Sequence, residues 1–355
     1  MMLCDRRGFR LIEPEMAART MTFSDGAASR RTVLRGLTSA ASVLALGGCA
    51  SLASTGARYD ASEISADTTL MVATNRKAVD GARAKPWFGA ERASGLSIMH
   101  AKLTPPGDSR FSLSAVGLDD WRLDTIEPVP QIGDLPGTSA GARDVLIYVH
   151  GFNQTFETAV LDAARLSDGI RFHGDTMAFS WPSKANLLDY GYDRDSAMWS
   201  RDALEKVLDG LMASPTVGRL HIVAHSIGTM LTMEALRQLY AHKGDMVADR
   251  LGAVVFASPD IDMDVFTSSV DHVGPIARNI TVLTATNDRA LALSRWMAGG
   301  MIRVGAAQKA QLERLGLHVI DASKEGWGVV NHDLFLSNGR IREVIRRAVD
   351  NPTGA

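Results

Sequence analysis

From Asp144 onward the chain alternates short apolar runs with longer stretches of helical spacing. Asp144-Val145-Leu146-Ile147-Tyr148-Val149 is almost unbroken by polar residues, the pattern of a strand covered on both faces. Helical spacing follows from Thr155 to Gly169, then a strand over Thr176–Pro182 that the proline ends. Asp195 to Met212 reads as one helix. A strand over Leu220–Ala224 and a helix over Thr229–Tyr240 come next. Gly252–Ser258, Ile280–Thr286 and Leu317–Ile320 read as further strands, and Gly339–Val349 as a closing amphipathic helix. Such alternation predicts an α/β domain with a mostly parallel central sheet and helices on both of its faces.

The pattern before Asp144 differs. Thr69–Thr74 reads as a strand, and Leu96–His100 and Arg110–Val116 as extended segments separated by the turn Pro105-Pro106-Gly107-Asp108. These predict partly antiparallel strands along one side of the sheet, with residues 129–142 as loop. No internal repeat is present.

The first 67 residues have another character. Ser29-Arg30-Arg31-Thr32-Val33-Leu34-Arg35 precedes a mildly apolar run, Gly36 to Leu46, that ends in Leu46-Gly47-Gly48-Cys49. A charged segment, a short apolar segment and small residues before a cut form a secretory signal, too short for a comfortable membrane span. The paired arginines resemble a twin-arginine export signal, and Leu46–Cys49 resembles a bacterial lipobox. On that reading residues 1–48 are removed and Cys49 becomes the lipidated first residue. Residues 49–67 form a flexible tether, and a domain spans 68–350. Ala50 after the cysteine favours the outer membrane, so the expected location is the bacterial cell envelope. Buried acyl chains contribute about 0.8 kcal/mol per CH₂, so several of them hold a protein on a bilayer.

Composition narrows the picture further. Of 355 residues, 46% are hydrophobic and 22% charged, enough for a large core, and the formal net charge is −2. No basic block interleaved with aromatics points to nucleic acid. The two cysteines are Cys4 and Cys49, so a mature chain starting at Cys49 has no disulfide and no Cys/His metal site. No metal or organic cofactor is implied.

Candidate chemistry centres on Ala224-His225-Ser226-Ile227-Gly228. A serine at a strand-to-helix turn between small residues is the nucleophile-elbow pattern, with Ala224 where glycine is usual. Ligands of parallel sheets gather at the carboxyl ends of the strands. Asn287-Asp288-Arg289 and Asn331-His332-Asp333 follow two later strands, giving the chain order Ser226, Asp288, His332. A serine hydroxyl needs an imidazole to take its proton, and the imidazole needs a carboxylate to fix its tautomer. His150-Gly151-Phe152-Asn153 follows an earlier strand. The N–H groups of Phe152 and Ile227 are the oxyanion-hole candidates, and losing one such donor typically costs about 10²–10³ in rate.

Ala73-Thr74-Asn75-Arg76, His150–Asn153, Ser180-Trp181-Pro182, Ala224–Thr229, Ala257–Asp262, Asn287–Leu291 and Asn331–Asp333 together resemble a bacterial branch of the α/β-hydrolase superfamily. The branch consists mostly of hydrolases or esterases of unknown function, often carrying a lipoprotein signal. The resemblance covers roughly residues 68–350 and implies the fold and the triad, not the substrate.

Rival assignments remain open. Asp260, with Asp262 and Asp264 nearby, occupies the other strand end that can supply the acid. His150 is read as a structural hydrogen-bonder as well as a weak substrate-site candidate. Trp181 and Trp296 are weak candidates for the substrate pocket, and either can equally be core. His225 is expected to point back into the fold. Residues 290–304 are read as a core-facing helix or an apolar wall over the site. The expected activity is a carboxylic-ester hydrolase acting on a small or lipid-like acyl ester. An amidase, a thioesterase and a non-catalytic envelope protein on the same fold are the alternatives.

Overall fold

The computed structural model describes residues 68–81, 85–106, 120–130, 141–286, 302–324 and 334–353. The signal and tether segments with Cys49, the extended segment Arg110–Val116, and most of 290–304 lie outside the described residues.

The described strands form one sheet. They are β1 (Thr68–Ala78), β2 (Phe88–Thr104), β3 (Arg122–Pro128), β4 (Arg143–Val149), β5 (Asp175–Ser180), β6 (Val217–His225), β7 (Leu251–Ala257), β8 (Ile280–Thr284) and β9 (His318–Asp321). Their spatial order is β3-β2-β1-β5-β4-β6-β7-β8-β9. β2 runs antiparallel to both β1 and β3, and every other pairing is parallel. The expected mixed edge is therefore β2 and β3, beside a parallel centre.

Burial explains why the centre read so clearly as strand. All seven residues of β7 and all five of β8 are buried, so their sequences have no polar face to alternate with. Side chains still alternate between two layers. In β4, Val145, Ile147 and Val149 enter one core, while Leu146 and Tyr148 enter the other. The second layer is closed by α1 (Phe156–Gly169), through Phe156, Val160 and Ala163, and by the C-terminal helix. Among the helices that close the first layer are α2 (Tyr190–Trp199), α3 (Arg201–Ala213) and α4 (Ile227–Lys243). The remaining helices are α5 (Asp245–Arg250), α6 (Met263–Val270), α7 (Lys309–Glu313), α8 (Leu334–Ser337) and α9 (Gly339–Asp350). Among the described residues no helix is long and apolar enough to cross a membrane.

One predicted helix departs from expectation. The helix predicted over Asp195–Met212 is two helices, beginning five residues earlier and broken at Ser200. The Ser200 hydroxyl accepts a hydrogen bond from Asn75 Nδ2 at 2.9 Å and donates to the Ser196 carbonyl at 2.8 Å. A serine that bonds back to its own turn and across to a strand competes with the helical ladder.

At the opposite end of the sheet from the site, His221 in β6 is buried, with its Nδ1 accepting the Ala253 N–H at 3.1 Å. Gly252 makes room for it, since a Cβ there would lie 2.5 Å from the ring. Burial lowers the His221 pKa, against the smaller opposing pull of Asp144, whose carboxylate is 3.5 Å from Nε2. The native ring thus stays neutral where an unfolded histidine takes up a proton. Because the unfolded chain then binds more protons, stability falls as pH drops below about 6.5, by at most about 1.4 kcal/mol per pH unit for this group. Urea unfolding at a series of pH values is expected to show this slope, and His221→Asn to reduce it.

Candidate active site

The turn between β6 and α4 sets the geometry. Ser226 has φ 52° and ψ −122°, a backbone region that non-glycine residues rarely occupy. Its conformation is held from several sides. The Ser226 N–H donates to Ala257 O at 3.0 Å, and its carbonyl accepts from Thr229 Oγ1 at 2.6 Å and from Asp260 N at 3.3 Å. Two glycines make the turn possible. A Cβ on Gly228 would stand 2.3 Å from the His150 carbonyl oxygen, and one on Gly151 would stand 2.9 Å from Ser226 Cβ. The first turn of α4 therefore sits directly on the backbone leaving β4.

That close approach brings the His150–Gln154 loop against the nucleophile elbow. Neither the Phe152 nor the Ile227 N–H has a hydrogen-bond acceptor among the described residues. None of the hydrogen bonds among the described residues involves Ser226 Oγ. Two uncommitted backbone donors and a hydroxyl on a strained turn are among the parts that acyl transfer uses, beside a general base.

His150 stands behind this loop, fully buried and stacked on Trp181 with ring centroids 4.6 Å apart. Its Nδ1 lies 2.8 Å from Gly151 O and its Nε2 3.0 Å from Trp181 O, of which a neutral ring donates to one, while Trp181 Nε1 donates to His150 O at 2.8 Å. Burial, and then the neighbouring Arg76 charge, push the His150 pKa down to about 3. A ring held neutral to that extent is a poor proton acceptor near neutral pH. His150 and Trp181 thus support the loop from inside the fold, with no surface of either exposed to a substrate.

His225 points inward, as expected, and its ring lies 4.7 Å from that of Phe335. Asp260 also sits beside the elbow. Its Oδ2 accepts the Tyr190 hydroxyl at 2.8 Å and its Oδ1 lies 3.1 Å from Nε of the fully buried Arg303. Asp288, His332 and Trp296 lie outside the described residues. Their segments leave β8 and β9, and the parallel pairings β6–β7, β7–β8 and β8–β9 point the carboxyl ends of these strands to the edge that carries Ser226. Phe335, three positions after His332, is the residue packed on His225.

Sequence reasoning gave no role to Arg76, Ser183, Asp193 or Arg303, all buried polar residues near this edge. The polar run Thr74-Asn75-Arg76 after an apolar strand was a signal for the first. The others are recognisable only through partners distant in the chain. Among the described residues no group of three or more His, Cys, Asp or Glu could hold a metal ion.

A parallel-centred sheet wrapped on both faces, with a strained serine between strand and helix at its carboxyl edge, defines an α/β-hydrolase fold. The chain belongs to the family described as alpha/beta hydrolase of unknown function (DUF900), which it matches over residues 138–348. An uncharacterized protein of Nostoc sp. (strain PCC 7120) is 25% identical over a region covering 27% of this chain and 32% of the relative. The chain thus matches about a third of that relative's length. Among solved structures, a hyperthermophilic esterase from Pyrobaculum calidifontis is similar at 11% identity and TM-score 0.36, over 93% of each chain. Carboxylesterase CesB from Bacillus subtilis is similar at 10% identity and TM-score 0.35, over 72% of this chain and 88% of that one. Likeness at this level says nothing about substrate.

Gly228→Ala is expected to destabilise the fold by roughly 1–3 kcal/mol, because the obstructing atoms are backbone carbonyls that cannot turn aside. A fall in the urea midpoint with an unchanged slope checks it.

Proposed function

We propose that the chain is a serine hydrolase that cleaves a carboxylic ester through an acyl-enzyme, using Ser226, His332 and Asp288. The observation that carries the reading is the backbone of Ser226, a strained turn held at the mouth of the sheet. Proteins keep such strain where function needs it.

In this mechanism His332 takes the Ser226 proton as Oγ attacks the ester carbonyl. The tetrahedral oxyanion is held by the N–H groups of Phe152 and Ile227. Collapse expels the alcohol, which His332 protonates, and water repeats the sequence to release the acid. Asp288 orients the imidazole and stabilises its cation. Asp260 is assigned a structural role, because its two oxygens already face Arg303 and Tyr190. The sequence motifs before Ala50 place the enzyme, on the same proposal, in a bacterial envelope with Cys49 lipidated. Trp296 is kept as a candidate wall of the acyl site.

A fluorophosphonate probe is expected to label the wild type and not Ser226→Ala. A folded wild type that stays unlabelled would sink the proposal. His332→Ala and Asp288→Asn are each expected to lower kcat roughly 10³–10⁴-fold while melting like the wild type. Asp260→Asn is expected to do the reverse, losing stability because it leaves a buried guanidinium uncompensated. Incorporation of a palmitate analogue in cells, abolished by Cys49→Ser, checks the anchor separately.

A further inference from the structure

The loop from His150 to Gln154 has no helix or strand of its own to hold it. Its position must come from groups around it. His150 O is held by Trp181 Nε1 at 2.8 Å, ahead of the two central residues. Beyond them, the Asn153 N–H donates to Asp193 Oδ2 at 3.3 Å, and the Gln154 N–H to Ser183 Oγ at 3.1 Å. The Gln154 carbonyl accepts from Arg76 Nη2 at 2.8 Å. The Gly151 carbonyl lies 2.8 Å from His150 Nδ1, so every residue of the loop except Phe152 is tied through its backbone to a buried side chain. The untied residue carries the Phe152 N–H.

Two opposite charges organise these ties. Arg76 also donates from Nη1 to Ser183 O at 2.9 Å and from Nε to Ser180 Oγ at 2.9 Å. Asp193 also accepts the Ser183 hydroxyl and, at 2.8 Å, the Lys184 N–H. Arg76 and Asp193 are both buried, and no ion pair joins them among the described residues. Each instead bonds to the loop or to the Ser183–Lys184 segment that braces it. Burying two charges without direct contact is costly, and apolar residues of similar volume commonly serve stability as well or better. Stability is therefore a weak reason for these residues, whereas fixing a backbone donor to a fraction of an ångström requires such bonds.

We propose that Arg76 and Asp193 are positioning residues that set the Phe152 N–H for the oxyanion, an inference that rests on the serine-hydrolase reading above. The test uses the full chain with Asp193→Asn and Arg76→Lys. The readouts are kcat and KM on a p-nitrophenyl ester and the inhibition constant of an alkyl boronic acid, which bonds the serine as a tetrahedral anion. Each variant is expected to lower kcat about 10- to 100-fold and to weaken the boronate by a similar factor, with KM changed by less than about threefold. A merely structural role would lower the amount of folded enzyme and leave boronate affinity unchanged. That result, or kcat within threefold of wild type, overturns the inference. If both variants fail to fold, Ser183→Ala removes only the hydroxyl between Asp193 and the Gln154 N–H, and the same kcat and boronate losses are expected in smaller degree. A wild type inert to esters and to fluorophosphonate overturns the serine-hydrolase reading and this inference together. An active wild type with all folded variants unchanged overturns this inference alone.

Discussion

The molecule turns on one backbone-to-backbone contact, the first turn of α4 resting on the carbonyls of Val149 and His150. A Cβ at Gly228 would meet them at 2.8 and 2.3 Å, so the residue has no room for a side chain. Because the contact fixes the helix close to the strand, the chain reaches it only by turning sharply at Ser226. A residue in such a region costs of order 1–3 kcal/mol, and persists only where its surroundings over-determine it. Here they do, through bonds from Ala257, Thr229 and Asp260 to the serine backbone. The same contact leaves the Ile227 N–H at the head of the helix and seats the Phe152 loop beside it. The strained serine and the candidate donors thus share one cause.

Behind that contact is a polar layer inside an otherwise apolar core. His150, Trp181, Arg76, Ser180 and Ser183 are all buried, and each bonds to at least one other or to the loop between them. Burial lowers the Arg76 pKa to about 10, against the raising pull of Asp193, yet that value still leaves it charged at neutral pH. The neutral imidazole beside it accepts this without further charge. A half-satisfied polar layer would be worse than an apolar one, so the four bonds that Arg76 makes to Ser180, Ser183, Gln154 and Gly89 are what make its buried charge tolerable.

The parallel centre of the fold was legible because strands covered on both faces must be apolar throughout, and β4, β6, β7 and β8 announce themselves that way. The elbow was legible because steric demands confine it to small residues at fixed spacing. What escaped was long-range. The break at Ser200 depends on Asn75, far away in the chain, and helical periodicity runs through the break undisturbed. β3 buries only Leu123 among its seven residues, so an edge strand left no strong apolar pattern. Asp193 carries no motif of its own, and only the fold brings Asn153 and Lys184 to it.

The same long-range logic bears on two carboxylates, of which the sequence puts Asp288 ahead of Asp260. A triad acid works by presenting its negative charge to an imidazolium that forms during the reaction. Asp260 has a guanidinium nitrogen at 3.1 Å, and in a buried setting that neighbour offsets much of the charge it would present. The Asp260–Arg303 pair also has a structural task. Arg303 begins a short segment that bonds back to Pro259 and Ile261 and, through Gly305, to Ala285, joining the ends of β7 and β8. A carboxylate that stitches two strand ends together is poorly placed to follow an imidazole through a catalytic cycle. On the serine-hydrolase proposal, the acid is for that reason assigned to Asp288, which follows β8 in the chain.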